Sequence, residues 1–460
     1  MNTLLSAERD PIGGVYLRRG KVLRGIHAEF TDYYKAVFNN PAVKSMLGKK
    51  IVETKIAKKP LSGYELTFEH PLITPQNYCY EWPLKMLQDA ALLTLDICIK
   101  LNPSGAVLKD ASPWNIFYRG TNPVLVDFTS IMPQEEDLLW VAYNQFVRQF
   151  LFPLLAGYYT FGKTTRSLLL ASQNGIAPQE VSRFLPASAK IKYPWLFNRL
   201  YVPKFMMNLL HSTGQDKEIA KYQKKISYST EARRAFFEKL RKDVDSIQFT
   251  SGKSLWSKYY RDVNTFLEHS RCHEKQRTVS ELLQQTKPKT VVDIGCNVGG
   301  YSILAAQAGA KVTAFDNDED SVSMLYKLVQ EKQLNILPLV ADVLYPSPQS
   351  GWRGLEFPSG PQRFRSKMVL ALALTHHLAI THNQTFERIV AILCDYCEKW
   401  LITEFIPLDN PRSQELLLTS RRDMSWYSLD AFINALIKEF PTVITYPSYP
   451  KGRTLCFCEK

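Results

Sequence analysis

The sequence predicts an α/β fold with a doubly wound parallel sheet in its C-terminal half, preceded by an α+β region. Two observations lead to this expectation. From about residue 286 onwards, short apolar segments alternate with segments of helical periodicity. Before residue 150 the order differs, because short strand patterns come first and one long apolar helical pattern follows them. At 460 residues the chain is long enough for two or three domains, each with its own core.

We predict three parts, with an α+β domain over residues 1–150, a helical basic connector over 151–250 and the α/β domain over 251–460. The charge of the chain is concentrated around the connector. The segment from Arg183 to Arg277 contains 20 Lys and Arg against 9 Asp and Glu, in a chain whose net charge is +13. Such a segment either binds a polyanion or consists of mixed-charge helix faces in contact with water.

Composition indicates an ordinary globular protein, with 45% hydrophobic and 22% charged residues. The N-terminal residues lack a signal-peptide pattern, and no run of about 18 apolar residues occurs, so we expect a cytoplasmic protein without a membrane span. Two cysteine pairs, Cys394 with Cys397 and Cys456 with Cys458, have no neighbours at zinc-ligand spacing. We therefore expect buried free thiols.

A glycine-rich turn is the strongest local signal. The apolar residues 291–294 lead into Gly295, Asn297 and Gly299, and a helical pattern follows. Strand, tight loop and helix in this order present backbone N–H groups to a nucleotide-like ligand. A second strand pattern ends in Asp316, 21 residues after Gly295, where a nucleotide-binding βαβ unit places the carboxylate that binds ribose hydroxyls.

The chemistry of this turn distinguishes between two cofactors. Asn297 stands where the second glycine of a dinucleotide loop lets the backbone approach a pyrophosphate. Asp293 would repel a diphosphate, yet its carboxylate suits the ammonium and sulfonium groups of S-adenosylmethionine. A plain structural turn is the alternative interpretation. The acid at Asp316 and the strands that follow favour the cofactor site.

The last part of the chain predicts a terminal hairpin, over residues 442–446 and 453–457, which adds an antiparallel strand to the parallel sheet. From Val291 through Phe457 the sequence resembles the class I S-adenosylmethionine-dependent methyltransferases, whose Rossmann-like sheet has seven strands. The resemblance implies a role for the acids and the glycine loop. Asp316 would bind the ribose of the cofactor and Asp342 the adenine, although Asp342 could instead be a helix cap or a turn residue. The residues of the glycine-rich loop would surround the methionine part of the cofactor; they are Asp293, Gly295, Asn297 and Gly299.

The fourth strand pattern ends in His376 and His377, which in this class would lie below the transferred methyl group. A histidine there could take the proton of a hydroxyl or amine nucleophile, since its pKa lies near working pH. Side chains alternate along a strand, so we expect only one of the two to face the site, and a structural histidine is the alternative for either. Glu404, at the end of the fifth strand, is a further catalytic candidate. The long loop 343–366, which contains Trp352, is typical of a lid or binding loop.

The segments 345–352 and 372–380 resemble a bacterial family of large methyltransferases related to host-specific nodulation proteins, and this similarity extends into the N-terminal half. The resemblance implies methyl transfer to an oxygen or nitrogen nucleophile. We expect a small-molecule or glycan-type acceptor rather than a protein or a nucleic acid. The sequence indicates neither the identity of the acceptor nor the oligomeric state.

The N-terminal half carries a second pattern, in which Asp110 and Asn115 precede a strand that ends at Asp127. It resembles the catalytic and metal-binding loops of kinase-like phosphotransferases. The resemblance implies that Asp110 orients an acceptor hydroxyl, while Asn115 and Asp127 hold magnesium ions on ATP.

The kinase-like pattern is incomplete. No glycine-rich phosphate loop is present beyond Gly13 and Gly14, and no strand-borne lysine is evident, although Arg24 or Lys55 could replace it. Three interpretations stay open at this point. The region is an active second enzyme, a degenerate domain that holds a substrate, or a loop with ordinary aspartate turns.

Overall fold

A computed structural model describes residues 3–4, 10–160, 162–196, 199, 227–249, 266, 273–351, 354, 356–420 and 423–460. The chain divides into two compact units, Met1–Phe249 and Thr250–Lys460. The second unit begins one residue before the α/β domain that the sequence predicted, and residues 151–249, which were predicted to form a connector, belong to the first unit.

The first unit begins with an antiparallel sheet in the order β1-β2-β3-β5-β4. A tight turn through Arg19 and Gly20, both at positive φ, joins β2 to β3. The strands are β1 Thr3–Leu4, β2 Val15–Arg18, β3 Lys21–Ile26, β4 Lys55–Ile56 and β5 Leu66–Pro71.

Helices and two short hairpin-like pairs complete this part of the first unit. Two helices meet at Asn40, which ends the first helix and caps the second, and the second begins with Pro41. Strand β6 pairs with β9 and β7 with β8. The bounds are α1 Thr31–Asn39, α2 Pro41–Met46, α3 Leu84–Leu101, β6 Ala106–Leu108, β7 Ile116–Arg119, β8 Asn122–Leu125 and β9 Ile131–Pro133.

The region predicted as a connector packs onto helix α3. The Gln88 side-chain amide of α3 donates to the carbonyls of Val244 and Ile247 at 2.9 and 2.7 Å. Arg241 also forms an ion pair with Asp96 of α3 at 2.7 Å. These contacts make the helices part of one core; they are α4 Tyr143–Phe146, α5 Phe152–Tyr159, α6 Gly162–Ala171, α7 Pro178–Phe184, α8 Ala187–Lys192 and α9 Thr230–Asp245.

Two basic side chains of the segment 183–277 have buried structural partners. Arg199 pairs with Asp243 at 2.6 Å, and both side chains are about nine-tenths buried. Arg233 donates to the backbone carbonyls of Glu135 and Glu136 at 2.8 Å each. Residues 201–226 and 250–265 of the segment lie outside the described residues. Arg199 and Arg233 therefore contribute to packing, and polyanion binding by the segment stays a prediction.

The second unit contains a seven-stranded sheet in the order β12-β11-β10-β13-β14-β16-β15. The neighbours from β12 to β14 are parallel, and β16 is antiparallel to both β14 and β15. The predicted parallel sheet and terminal hairpin are thereby confirmed. The strands are β10 Thr290–Ile294, β11 Lys311–Asp316, β12 Ile336–Val340, β13 Ser366–Ala371, β14 Cys397–Phe405, β15 Thr442–Pro447 and β16 Thr454–Glu459.

The helices of the second unit are α10 Glu274–Thr286, α11 Gly300–Gln307, α12 Glu319–Lys332, α13 Gly360–Phe364, α14 Phe386–Tyr396, α15 Pro411–Ser420 and α16 Leu429–Glu439. Helices α10, α13 and α15 were not predicted, and α13 lies inside the long loop 343–366. Trp352 of that loop lies outside the described residues.

Two further expectations concern the cysteines and the membrane. Cys397, Cys456 and Cys458 are buried free thiols, and burial raises the pKa of Cys397 to about 11. In the described part of the chain, no three His, Cys, Asp or Glu side chains are grouped so that they could hold a metal ion. None of the described helices is both long and apolar enough to span a bilayer.

Candidate functional site

A cavity of about 340 Å³ opens at the carboxyl ends of the central strands of the second unit. Strand β10 has β11 on one side and β13 on the other, and the chain continues outward in opposite directions from these two neighbours. Open α/β sheets bind ligands at such a switch point, because the loops after the two neighbouring strands separate there. The volume suits a small molecule.

The glycine-rich turn forms one wall of this cavity. Gly295 and Asn297 line the wall and have φ values of 72° and 52°. The Asn297 side chain accepts a hydrogen bond from the Val298 N–H at 2.8 Å, and asparagine tolerates the left-handed region for this reason.

Gly299 has a structural role in the turn. Its φ is 82°, and a Cβ atom there would lie 2.3 Å from a Leu325 methyl group. It forms the N-cap of α11 and does not line the cavity. Gly299 thus allows helix α11 to approach α12, and its contact with the cofactor stays a prediction.

Asp316 lies at the end of β11 and lines the cavity. One carboxylate oxygen accepts from the Asn297 N–H at 2.8 Å, and the other accepts from the Asp318 N–H at 2.9 Å. Each oxygen has a second lone pair, so the group can still accept a hydrogen bond from a ligand hydroxyl. Asp316 thus connects the glycine-rich turn of β10 to the end of β11.

Asp293 lies deeper, at 3% exposure, and also lines the cavity. Ser302 donates to its carboxylate at 2.5 Å. Burial raises the pKa of Asp293 to about 7, the Ser302 hydrogen bond opposes this, and the nearby Asp316 charge adds to it. The group therefore changes its charge near neutral pH.

Asp342 follows β12 and lines the cavity on its far side. Its carboxylate accepts from the Leu344 N–H at 2.9 Å, which is the contact of an aspartate turn. Asp342 is therefore a turn residue, which is the alternative that the sequence left open. The same residue also lies in the cavity wall.

His376 and His377 both line the cavity, and their ring centroids are 4.1 Å apart. The expectation that only one could face the site was wrong, because β13 ends at Ala371 and the two histidines begin a helical turn over His377–Thr381. Adjacent residues in a helical turn do not point in opposite directions as they do in a strand.

His376 is 1% exposed, and neither of its ring nitrogens has a hydrogen-bond partner among the described residues. Burial, with help from His377 and Arg453, keeps its pKa well below the usual range. Burial also lowers the pKa of His377 to about 4, and the Arg412 charge contributes. Both rings are therefore neutral at physiological pH, and the lowered pKa makes each a weaker base than an exposed histidine.

Glu404 was expected to reach the same cavity, and the structure contradicts this. The residue is fully buried and absent from the lining. Its carboxylate forms an ion pair with Lys275 at 2.7 Å and accepts from the Ala373 N–H at 2.9 Å and the Ser448 hydroxyl at 2.6 Å. Through these contacts Glu404 connects helix α10, strand β14 and the residues after β13 to one another beneath the cavity.

Arg412 and Leu416 of α15 line the cavity, and the sequence analysis did not identify them. A local signal for their helix exists. Asn410 accepts from the Arg412 N–H at 3.1 Å, and Pro411 is the first helical residue. An Asn-Pro pair of this kind is typical of a helix start.

In the first unit, the three residues of the kinase-like pattern lie in neighbouring loops. Ser130 connects two of these loops, since its hydroxyl accepts from the Asp110 N–H at 3.2 Å and donates to the Asp110 carbonyl at 3.1 Å. The Asn115 carbonyl accepts from the Val126 N–H at 2.8 Å, next to Asp127. The structure thus places these loops next to each other, and the kinase-like character of the region stays a prediction.

The Asp127 carboxylate has protein partners, whereas the carboxylate of an open metal site would be accessible to an ion. Arg24 of β3 forms an ion pair with it at 3.1 Å, and the Thr129 hydroxyl donates to the same carboxylate oxygen at 2.8 Å. Arg24 also donates to Thr129 at 2.6 Å. The guanidinium thus supplies the positive charge that a metal ion would supply in a kinase-like site.

The strand order and the antiparallel β16 define the second unit as a Rossmann-like α/β fold with a seven-stranded sheet. A family model described as tellurite resistance protein TehB matches residues 258–345, which include the glycine-rich turn and Asp316.

The chain is a homologue of nodulation protein NoeA of Rhizobium meliloti (strain 1021), with 29% identity over 98% of this chain and 95% of that protein. The predicted resemblance to nodulation proteins, with its extension into the N-terminal half, is thereby confirmed.

Solved structures match the chain more remotely. Magnesium protoporphyrin IX methyltransferase from Synechocystis PCC 6803, with bound SAH, is 15% identical over 43% of this chain and 92% of that chain, at a TM-score of 0.30. An O-methyltransferase family protein from Burkholderia thailandensis is 12% identical over 40% of this chain and 54% of that chain, also at 0.30.

Proposed function

We propose that the second unit transfers a methyl group from S-adenosylmethionine to an oxygen or nitrogen of a small acceptor. One observation carries the proposal. Asp293, Asp316 and Asp342 end three adjacent strands and line one cavity with the glycine-rich turn. These groups match the cofactor's ammonium, ribose hydroxyls and adenine amino group.

S-adenosylmethionine supplies a methyl group on a positively charged sulfur, and transfer leaves the bonding electron pair on that sulfur. The chain contributes positioning and exclusion of water. A hydroxyl nucleophile also loses a proton, and His376, neutral and buried beside the cavity, can accept it. His377 is the alternative acceptor at the same wall.

Calorimetric titration of the full chain with S-adenosylhomocysteine tests the cofactor assignment. We expect stoichiometric binding. Absence of binding, with the protein shown to be folded by circular dichroism, would contradict the proposed function.

The pKa of Asp293 predicts how this binding depends on pH. Because its folded-state value is raised to about 7, the group is mostly protonated at pH 6 and mostly ionised at pH 8. The ligand's ammonium pairs with the ionised form, so binding releases a proton and the affinity for S-adenosylhomocysteine should rise about tenfold over this range. Calorimetry at several pH values measures it.

The variant Asp293→Asn should bind more weakly, with a flatter pH profile. Asp395→Asn serves as the control, because Asp395 is an exposed carboxylate on α14. A flat profile for the native chain would argue against an Asp293–ammonium contact.

For the first unit, we propose a kinase-like domain that has lost magnesium-dependent phosphoryl transfer. The Arg24–Asp127 ion pair favours this over an active second enzyme, because the expected metal ligand already has a cationic partner. Such a domain would hold a substrate or a nucleotide.

We expect ATP with magnesium to raise the melting temperature no more than ATP alone does. Thermal-shift measurements with ATP, with magnesium and with both make the comparison. A magnesium-dependent shift that Asp127→Ala removes, while the control Asp137→Ala keeps it, would instead favour the bifunctional enzyme. Asp137 is exposed and shares the first unit.

A further inference from the structure

Acidic and basic side chains lie on different sides of the cavity in the second unit. Asp293 and Asp316 lie in the last residues of β10 and β11, and Asp342 follows β12, so the three aspartates line one side of the switch point. The residues that follow β13 and β14 line the other side, and we call that side the acceptor end; it comprises His376, His377, Thr381, His382, Arg412 and Leu416. None of these six residues is acidic.

Arg412 is the cation of the acceptor end. Its ion-pair partner Glu415 lies on the same helix, with a side chain that is 60% exposed. An exposed pair of this kind contributes little stability, so a ligand anion can exchange with Glu415 at small cost. Arg453 adds positive charge behind Arg412, since it donates to the side chain of Asn410 at 3.4 Å.

The unsatisfied ring nitrogens of His376 are independent evidence that a ligand binds at the acceptor end. A buried polar side chain normally has a hydrogen-bond partner, because an unsatisfied group loses its bonds to water and gains none in return. Neither ring nitrogen of His376 has one among the described residues, and the ring lines the cavity. A molecule with a hydroxyl or an anionic oxygen would satisfy it.

The acidic groups nearest to the acceptor end do not offset its charge. Glu404 is neutralised by Lys275 and is sealed beneath the cavity. Glu415 faces solvent. Among the described residues, the carboxylates that line the cavity are the three aspartates of the opposite side.

We propose that the methyl acceptor is an anionic small molecule, whose carboxylate or phosphate binds Arg412 while its nucleophilic group lies at His376. The inference rests on the proposed function and names the substrate class of the same site. Arginine suits such a group because its planar guanidinium binds carboxylate or phosphate through two parallel hydrogen bonds.

The test uses the full chain saturated with S-adenosylhomocysteine and titrated with inorganic phosphate or with acetate. We expect at least one of the two anions to bind, and Arg412→Gln to weaken that binding at least about tenfold. Arg412→Lys should give an intermediate loss, because it keeps the charge without the paired hydrogen bonds. The anion that binds more tightly to the native complex indicates whether phosphate or carboxylate is the natural group.

Arg388→Gln is the matched control, since Arg388 is an exposed arginine on α14, and it should bind the anion like the native chain. Unchanged affinity for S-adenosylhomocysteine in Arg412→Gln establishes that the variant is folded. A native complex that binds neither anion, or an Arg412→Gln complex that binds as tightly as the native one, would overturn the inference. Failure to bind S-adenosylhomocysteine would instead count against the proposed function.

Discussion

Replacement of Glu404 by alanine should lower the free energy of unfolding of the second unit by about 3–5 kcal/mol. Glu404 and Lys275 are almost completely buried, at 0% and 3% side-chain exposure. Removal of the carboxylate leaves the Lys275 ammonium without its anion in a site that water does not reach. It also removes the acceptor for the Ser448 hydroxyl and the Ala373 N–H.

Chemical denaturation followed by fluorescence measures this loss, and Glu398→Ala provides a matched control. Glu398 lies on the same strand, and its ion pair with Lys367 is half exposed, so its loss should cost no more than about 1 kcal/mol. The double variant Lys275→Met with Glu404→Leu should recover much of the stability, since a well-packed apolar pair can replace a buried ion pair. Equal losses for Glu404→Ala and Glu398→Ala would show that the buried pair is not structural.

The second large effect concerns the cofactor. Asp316→Ala should weaken binding of S-adenosylhomocysteine at least about 100-fold, which corresponds to roughly 2.7 kcal/mol. Two losses combine in this variant. The ligand's ribose loses a charged hydrogen-bond acceptor, and the Asn297 N–H loses the partner that holds the glycine-rich turn.

Calorimetry measures the effect, and Asp316→Asn separates its two parts. Asparagine keeps one oxygen for the Asn297 N–H but loses the negative charge, so an intermediate affinity is expected. Asp395→Asn, an exposed change on α14, should bind like the native chain. If Asp316→Ala binds normally, the assignment of this acid to the cofactor is wrong.

Much of the second unit was predictable because its signals are local. Alternating apolar and helical segments predicted the parallel sheet, and the residues between Asp293 and Gly299 predicted the turn at its switch point. Asp316 could be placed because the spacing of a βαβ unit is nearly fixed. Strand periodicity and turn chemistry depend on neighbouring residues only, so a single sequence is sufficient to indicate them.

The errors arose where distant residues decide the role of a side chain. Glu404 ends a strand at the expected rim, yet Lys275, 129 positions earlier in the chain, binds it beneath the cavity. Nothing in the sequence around Lys275 distinguishes it from the exposed lysines of other mixed-charge helices. The pair of histidines was misjudged because β13 ends early and a helical turn follows.

The sequence alone thus determined the class of sheet, the glycine-rich turn and the acids that end its strands. The tertiary structure decided which groups face the cavity, that Arg412 joins the histidines, and that Arg24 neutralises Asp127. The physical reason is that period and turn chemistry are properties of short segments, whereas burial and ion pairing are set by elements far apart in the chain. The positive charge of the acceptor end could therefore be recognised only in the folded protein.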